Sequence, residues 1–127
     1  MAFQANNPGS NPGDRINKNA AARQTLIKMA EIFLIVHGFV QGVGYRAFVK
    51  SVAGRMHISG AVKNATDGSV LIAASGNDAD LNRFIHAIDV SMPHGPEVKS
   101  IETFASPPKT FELAYEFSGK DEFKILR

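Results

Sequence analysis

The chain has 127 residues, no cysteine or tryptophan, 14 Lys and Arg against 12 Asp and Glu, and a pI near 9.0. That length suits one domain around a single core. The lack of cysteine excludes a disulfide framework, a thiolate zinc site and a thiol nucleophile, and it fits a reducing, cytoplasmic setting.

The basic pI suggests a nucleic-acid partner until the charges are placed. Residues 1–29 carry Arg15, Lys18, Arg23 and Lys28 against Asp14, while the rest of the chain carries 10 basic and 11 acidic side chains. The basicity therefore belongs to the N-terminal extension, and the domain over residues 30–127 is close to neutral. Neither a nucleic acid nor a membrane is expected as a partner. No apolar run approaches the roughly 20 residues of a membrane span. The apolar stretch from Ile32 to Val36 is too short for a signal-peptide core and has no small-residue cleavage site after it.

In chain order, residues 1–29 form a basic extension expected to be disordered, since Met1 to about Asn19 is rich in Asn, Pro and Gly and poor in large apolar residues. Residues 20–30 admit either a short helix or an extended lead-in. A strand follows at about 31–38. Tyr45, Phe48, Val49, Val52, Ala53 and Met56 then recur with helical spacing and predict a helix over 45–56. A strand at 58–64, a tight turn at Thr66-Asp67-Gly68 and a strand at 69–75 come next, the last apolar on both faces. Asn77 is a suitable N-cap for a second helix bearing Leu81, Phe84, Ile85 and Ile88. Pro93 and Pro96 end that segment. A weaker strand at 97–104, a loop with Pro107-Pro108 and a last strand near Phe123–Leu126 complete the chain. This βαββαβ order predicts an α+β, ferredoxin-like sandwich: an antiparallel sheet, two helices on one face and a short extra C-terminal strand.

The chemistry concentrates in Gly38-Phe39-Val40-Gln41-Gly42-Val43-Gly44-Tyr45-Arg46, where a strand stops and a helix begins. A helix N-terminus offers unpaired amides and the positive end of a dipole, which together suit an anion. Gly42 and Gly44 permit positive φ. Arg46, in the first helical turn, supplies a planar fork able to grip two oxygens. Spacing alone is equally compatible with a tight turn beside an ordinary surface arginine. The nucleotide-triphosphate loop and the dinucleotide fingerprint are absent. The RNA-recognition octamer is matched only loosely, and here it would open a helix where base stacking needs a strand.

A second block, Gly60-Ala61-Val62-Lys63-Asn64-Ala65-Thr66-Asp67-Gly68-Ser69-Val70, ends at Gly76. Together, in this order and at this separation, the two blocks resemble the signatures of the acylphosphatase family. The first signature is complete from Gly38 to Arg46. The second is met by Gly60, Val62, Lys63, Asn64, Gly68, Val70 and Gly76, with Ala61 standing where an aromatic is usual. That departure bears on packing more than on chemistry, because neighbouring strand positions face opposite sides.

The resemblance implies hydrolysis of the carboxyl–phosphate bond of a small-molecule acyl phosphate, giving carboxylate and inorganic phosphate, by a monomer needing no metal or cofactor. Gln41, Gly42, Val43, Gly44, Tyr45 and Arg46 would bind the phosphoryl group. Arg46 and Asn64 would be catalytic, Asn64 by orienting a water. Phosphate would compete with substrate. The alternative is a non-catalytic module that binds an oxyanion or an acyl phosphate.

Other polar residues support no site. His37, His57, His86 and His94 lack ligand spacing. Asp78 and Asp80 suit the first turn of a helix. Glu97, Glu102, Glu112 and Glu116 are expected on solvent faces. With no general base or nucleophile in view, catalysis must rest on positioning and charge stabilisation acting on a reactive substrate.

Overall fold

The apolar run Ile32–Val36 lies inside β1 (Ala30–Phe39) of the computed structural model, which describes residues 29–117 and 122–127. The expected disordered extension falls almost wholly within residues 1–28, outside the described residues. After β1 come α1 (Tyr45–Arg55), β2 (Ser59–Asn64), β3 (Val70–Gly76), α2 (Asp78–Ile88), β4 (Glu97–Phe104) and β5 (Phe123–Leu126). The predicted order holds throughout.

The strands form one sheet in the order β4-β1-β3-β2-β5. β1 pairs antiparallel with β3 and β4, and β2 pairs antiparallel with β3. β5 joins the edge parallel to β2, Gly60 against Phe123 through Lys63 against Leu126. The ferredoxin-like core is thus antiparallel, and the extra strand makes the whole sheet mixed. β3 lies between two neighbours and is buried from end to end.

Alternation along the strands divides the interior into two layers. Leu34, Val36, Val62, Val70, Ile72 and Ala74 face α1 and α2, meeting Tyr45, Val49, Val52, Leu81, Phe84 and Ile88. Both helices therefore cover the same face. On the other face, Phe33, Ala61, Leu71, Ala73 and Leu113 form a second cluster, joined by Phe111, Tyr115 and Phe117. Phe33 meets Phe111 edge-on at 5.7 Å between ring centroids, and Tyr115 meets Phe117 in the same way at 5.1 Å.

That second cluster accounts for Ala61. It is fully buried and sits opposite Ala73 across the β2–β3 ladder. Two facing alanines leave the depth that the aromatic side chains of 111–117 fill, so the ring is supplied from the loop and not from β2.

α2 begins as expected: the Asn77 side chain accepts from the Asp80 amide at 2.8 Å, and Asp78 and Asp80 occupy the first turn. Among the described residues, no helix is long and apolar enough to cross a membrane.

Candidate active site

β1 ends at Phe39 and α1 starts at Tyr45, so the five residues between them must reverse the chain in little space. Gly42 (φ 76°) and Gly44 (φ 79°, ψ 13°) do this in the left-handed region, and Gly44 is the N-cap of α1. A Cβ at either glycine would meet no protein atom within 4 Å. What requires glycine here is backbone shape, together with open space on the ligand side.

The start of α1 carries no side-chain cap and no acidic residue in its first turn. The first helical bond runs from the Phe48 amide to the Gly44 carbonyl at 3.1 Å. The amides from Gly42 to Ala47 find no acceptor among the described residues. A row of unpaired N–H groups at the positive end of a helix suits an anion.

Beside these amides lies a cavity of about 220 Å³. Gly42, Gly44, Tyr45 and Arg46 line it, with Val40 and Ala47 next to them. Ile125 and Arg127, at the end of β5, close the wall. Among the described residues, no Asp or Glu lines it. Arg46 makes no ion pair or side-chain hydrogen bond among the described residues. Gln41, Val43 and Asn64 lie outside the lining, and the side chains of Gln41 and Val43 are engaged elsewhere.

Gln41 ties the loop to the turn after β2. Its Nε2 donates to the Ala65 carbonyl at 2.7 Å and to the Ser69 carbonyl at 2.8 Å. Both donors of its side-chain amide are thereby spent on the turn. Val43 packs against the helix-side core. Tyr45 is buried, and its hydroxyl donates to the Ile88 carbonyl at 2.7 Å, fixing the start of α1 to the end of α2. Burial, with the Asp89 charge second, pushes this phenol well above the usual tyrosine range, so it stays a neutral donor.

Asn64 ends β2 opposite Val70. Its Oδ1 is buried and has no hydrogen-bond partner among the described residues. The turn beyond it is held from three sides. Gln41 grips it as described. Asp67 accepts from the Ser69 amide at 3.0 Å and the Ser69 hydroxyl at 2.6 Å, bonds that hold its carboxyl below the usual carboxylate range. Glu112 accepts from the Thr66 amide at 3.0 Å and the Thr66 hydroxyl at 2.8 Å.

All four glutamates stand at exposed positions, as expected, and two of them have partners: Glu112 clasps the turn, and Glu102 pairs with His37 across β1 and β4 at 2.8 Å. Neither partnership carries a local sequence signal, since the partners are 46 and 65 positions apart. Among the described residues, no three or more of His, Cys, Asp and Glu come together in a group that could hold a metal ion.

The family model for acylphosphatase matches residues 32–119. The chain belongs to the acylphosphatase family. An acylphosphatase of Listeria monocytogenes serotype 4b (strain F2365) is 43% identical over 86 residues, which are 65% of this chain and 92% of that protein. One from Archaeoglobus fulgidus is 41% identical over 93 residues, covering 68% of this chain and all of that protein. The crystal structure of acylphosphatase from Bacillus subtilis superposes with a TM-score of 0.63 at 31% identity, covering 79% of this chain and all of that one. Acylphosphatases are hydrolases of acyl phosphates, and the complete first signature, Gly38 to Arg46, is the loop and helix start that border the cavity here.

Proposed function

We propose that the cavity at the start of α1 holds the phosphoryl group of an acyl phosphate while a water, oriented by Asn64, attacks phosphorus in line. The observation that carries this reading is the row of amides around Arg46 that find no acceptor, at a cavity lined by no Asp or Glu, among the described residues. The amides and the Arg46 fork meet the equatorial oxygens, over which charge spreads as the bond breaks. The water oxygen bonds to phosphorus, the phosphorus–oxygen bond to the acyl group breaks, and the electron pair leaves on the carboxylate. A carboxylate is a weak base, so departure needs little protonation, and the water's protons pass to phosphate and solvent. No general base is required. The unpaired Asn64 Oδ1 is suited to accept a hydrogen bond from the attacking water, and the clasped turn holds it still.

Gln41, Val43 and Tyr45 contribute backbone amides in this scheme, their side chains being engaged elsewhere. A cytoplasmic, monomeric state belongs to the same proposal, to be checked by cell fractionation and by sedimentation of the purified chain.

The deciding experiment follows phosphate release from benzoyl phosphate and acetyl phosphate. Wild type should turn both over, with inorganic phosphate competing and EDTA without effect. Arg46→Ala should lose about a thousandfold in kcat/KM while keeping its circular dichroism, the order of magnitude seen when a charge-stabilising arginine leaves a phosphoryl-transfer site. Phosphate binding without turnover in wild type would make the chain a binding module. Undiminished turnover in Arg46→Ala would remove the cavity from the reaction.

A further inference from the structure

Arg46 is not alone in the cavity. Arg127 lines the same space, brought there by β5, the strand that pairs parallel to β2 at the sheet edge. Two arginines, and among the described residues no Asp or Glu, line this space of about 220 Å³. Among the described residues, Arg127 forms no ion pair and no side-chain hydrogen bond. Val40, Ala47 and Ile125 add apolar side chains to the same lining. The cavity thus has a cation with amides at one place, a hydrocarbon lining, and a second cation contributed by a different element.

We infer that Arg127 forms a subsite for a negative charge on the acyl group, so that the preferred substrates are acyl phosphates bearing a second anionic group, such as a carboxylate at the far end of a short acyl chain. This inference rests on the phosphoryl-binding role of Arg46. The apolar wall receives the intervening methylene groups. Arg127 gives the planar fork that a carboxylate or phosphate takes up in two parallel hydrogen bonds. A neutral acyl group gains nothing from it, so Arg127 sets specificity and takes no part in bond breaking.

The test compares succinyl monophosphate, whose acyl end carries a carboxylate, with acetyl phosphate, whose acyl end carries none. The readout is the ratio of their kcat/KM values. In Arg127→Gln this ratio should fall about three- to tenfold, the range expected for losing a charge-assisted, partly exposed hydrogen bond. Arg127→Lys should recover part of the ratio through charge without the fork. Arg55→Gln removes one positive charge at the far end of α1, about 13 Å along the helix from Arg46. It should leave the ratio in place, which separates a local subsite from the general field of the protein.

An unchanged ratio in Arg127→Gln, whether both substrates weaken together or neither does, overturns the subsite and leaves the acyl phosphate reaction standing. An equal fall in Arg55→Gln overturns it as well. If wild type releases phosphate from neither compound, the parent reading and the subsite fall together.

Discussion

The water-orienting role proposed for Asn64 is separable from its place at the end of β2. A residue that orients the water acts on attack and not on capture of the phosphoryl group. Asn64→Ala should therefore lower kcat about a hundredfold or more, the cost of a misplaced reactant, while phosphate inhibits with near-normal affinity. Asn64→Asp is sharper, because it keeps the size and turn preference but sets a negative charge beside an anionic substrate. A well-folded Asn64→Asp protein with wild-type turnover would reduce Asn64 to a strand-end residue. Arg46 differs in kind: its removal should abolish capture and turnover together, since amides alone leave the phosphoryl charge half answered.

The element on which Asn64 depends is the turn from Ala65 to Ser69, held by Gln41, Asp67 and Glu112. Gln41 matters most, because its amide bridges two carbonyls on the turn and joins the loop before α1 to it. Gln41→Ala should destabilise the protein by about 1–3 kcal/mol, the cost of leaving partly buried acceptors unpaired. Gln41→Glu should be worse, because a carboxylate would face two carbonyl oxygens with no donor between them. Thermal melts of the three proteins check the order. A Glu variant as stable as wild type would mean that the turn holds itself. The second cluster reinforces the same element from behind, as Leu113 and Phe111 flank Glu112 and pack on the face of β1, β2 and β3 opposite the helices.

For the whole molecule, the hydrogen bond from Tyr45 to Ile88 joins the two helices, and its proton gives stability a pH dependence. The folded pKa of Tyr45 is raised, first by burial and then by Asp89. A raised pKa means the unfolded chain releases the proton first. The stabilisation is complete below about pH 10, the unfolded tyrosine value, and is lost as pH climbs towards the folded one. The melting temperature of wild type should fall between about pH 9 and about pH 11 more steeply than that of Tyr45→Phe. Parallel curves would show that Tyr45 is not the group responsible.

Local pattern determined a good deal of this protein. Helical spacing from Tyr45 to Met56, the doubly apolar β3 and the Asn77 cap are written in neighbouring residues, because helix and strand periods and capping act over a few positions. The site motif was legible for the same reason: positive φ at Gly42 and Gly44, free amides and Arg46 all belong to one short turn. Tertiary structure decided what joins distant segments. It paired β5 parallel to β2 and so brought Ile125 and Arg127 to the cavity. It also set Glu112 against Thr66, gave the Gln41 side chain to the turn in place of a ligand, and filled the space above Ala61 with rings from 111–117. Contacts of that kind depend on which surfaces meet when the sheet closes, and no local spacing encodes a partner many residues away.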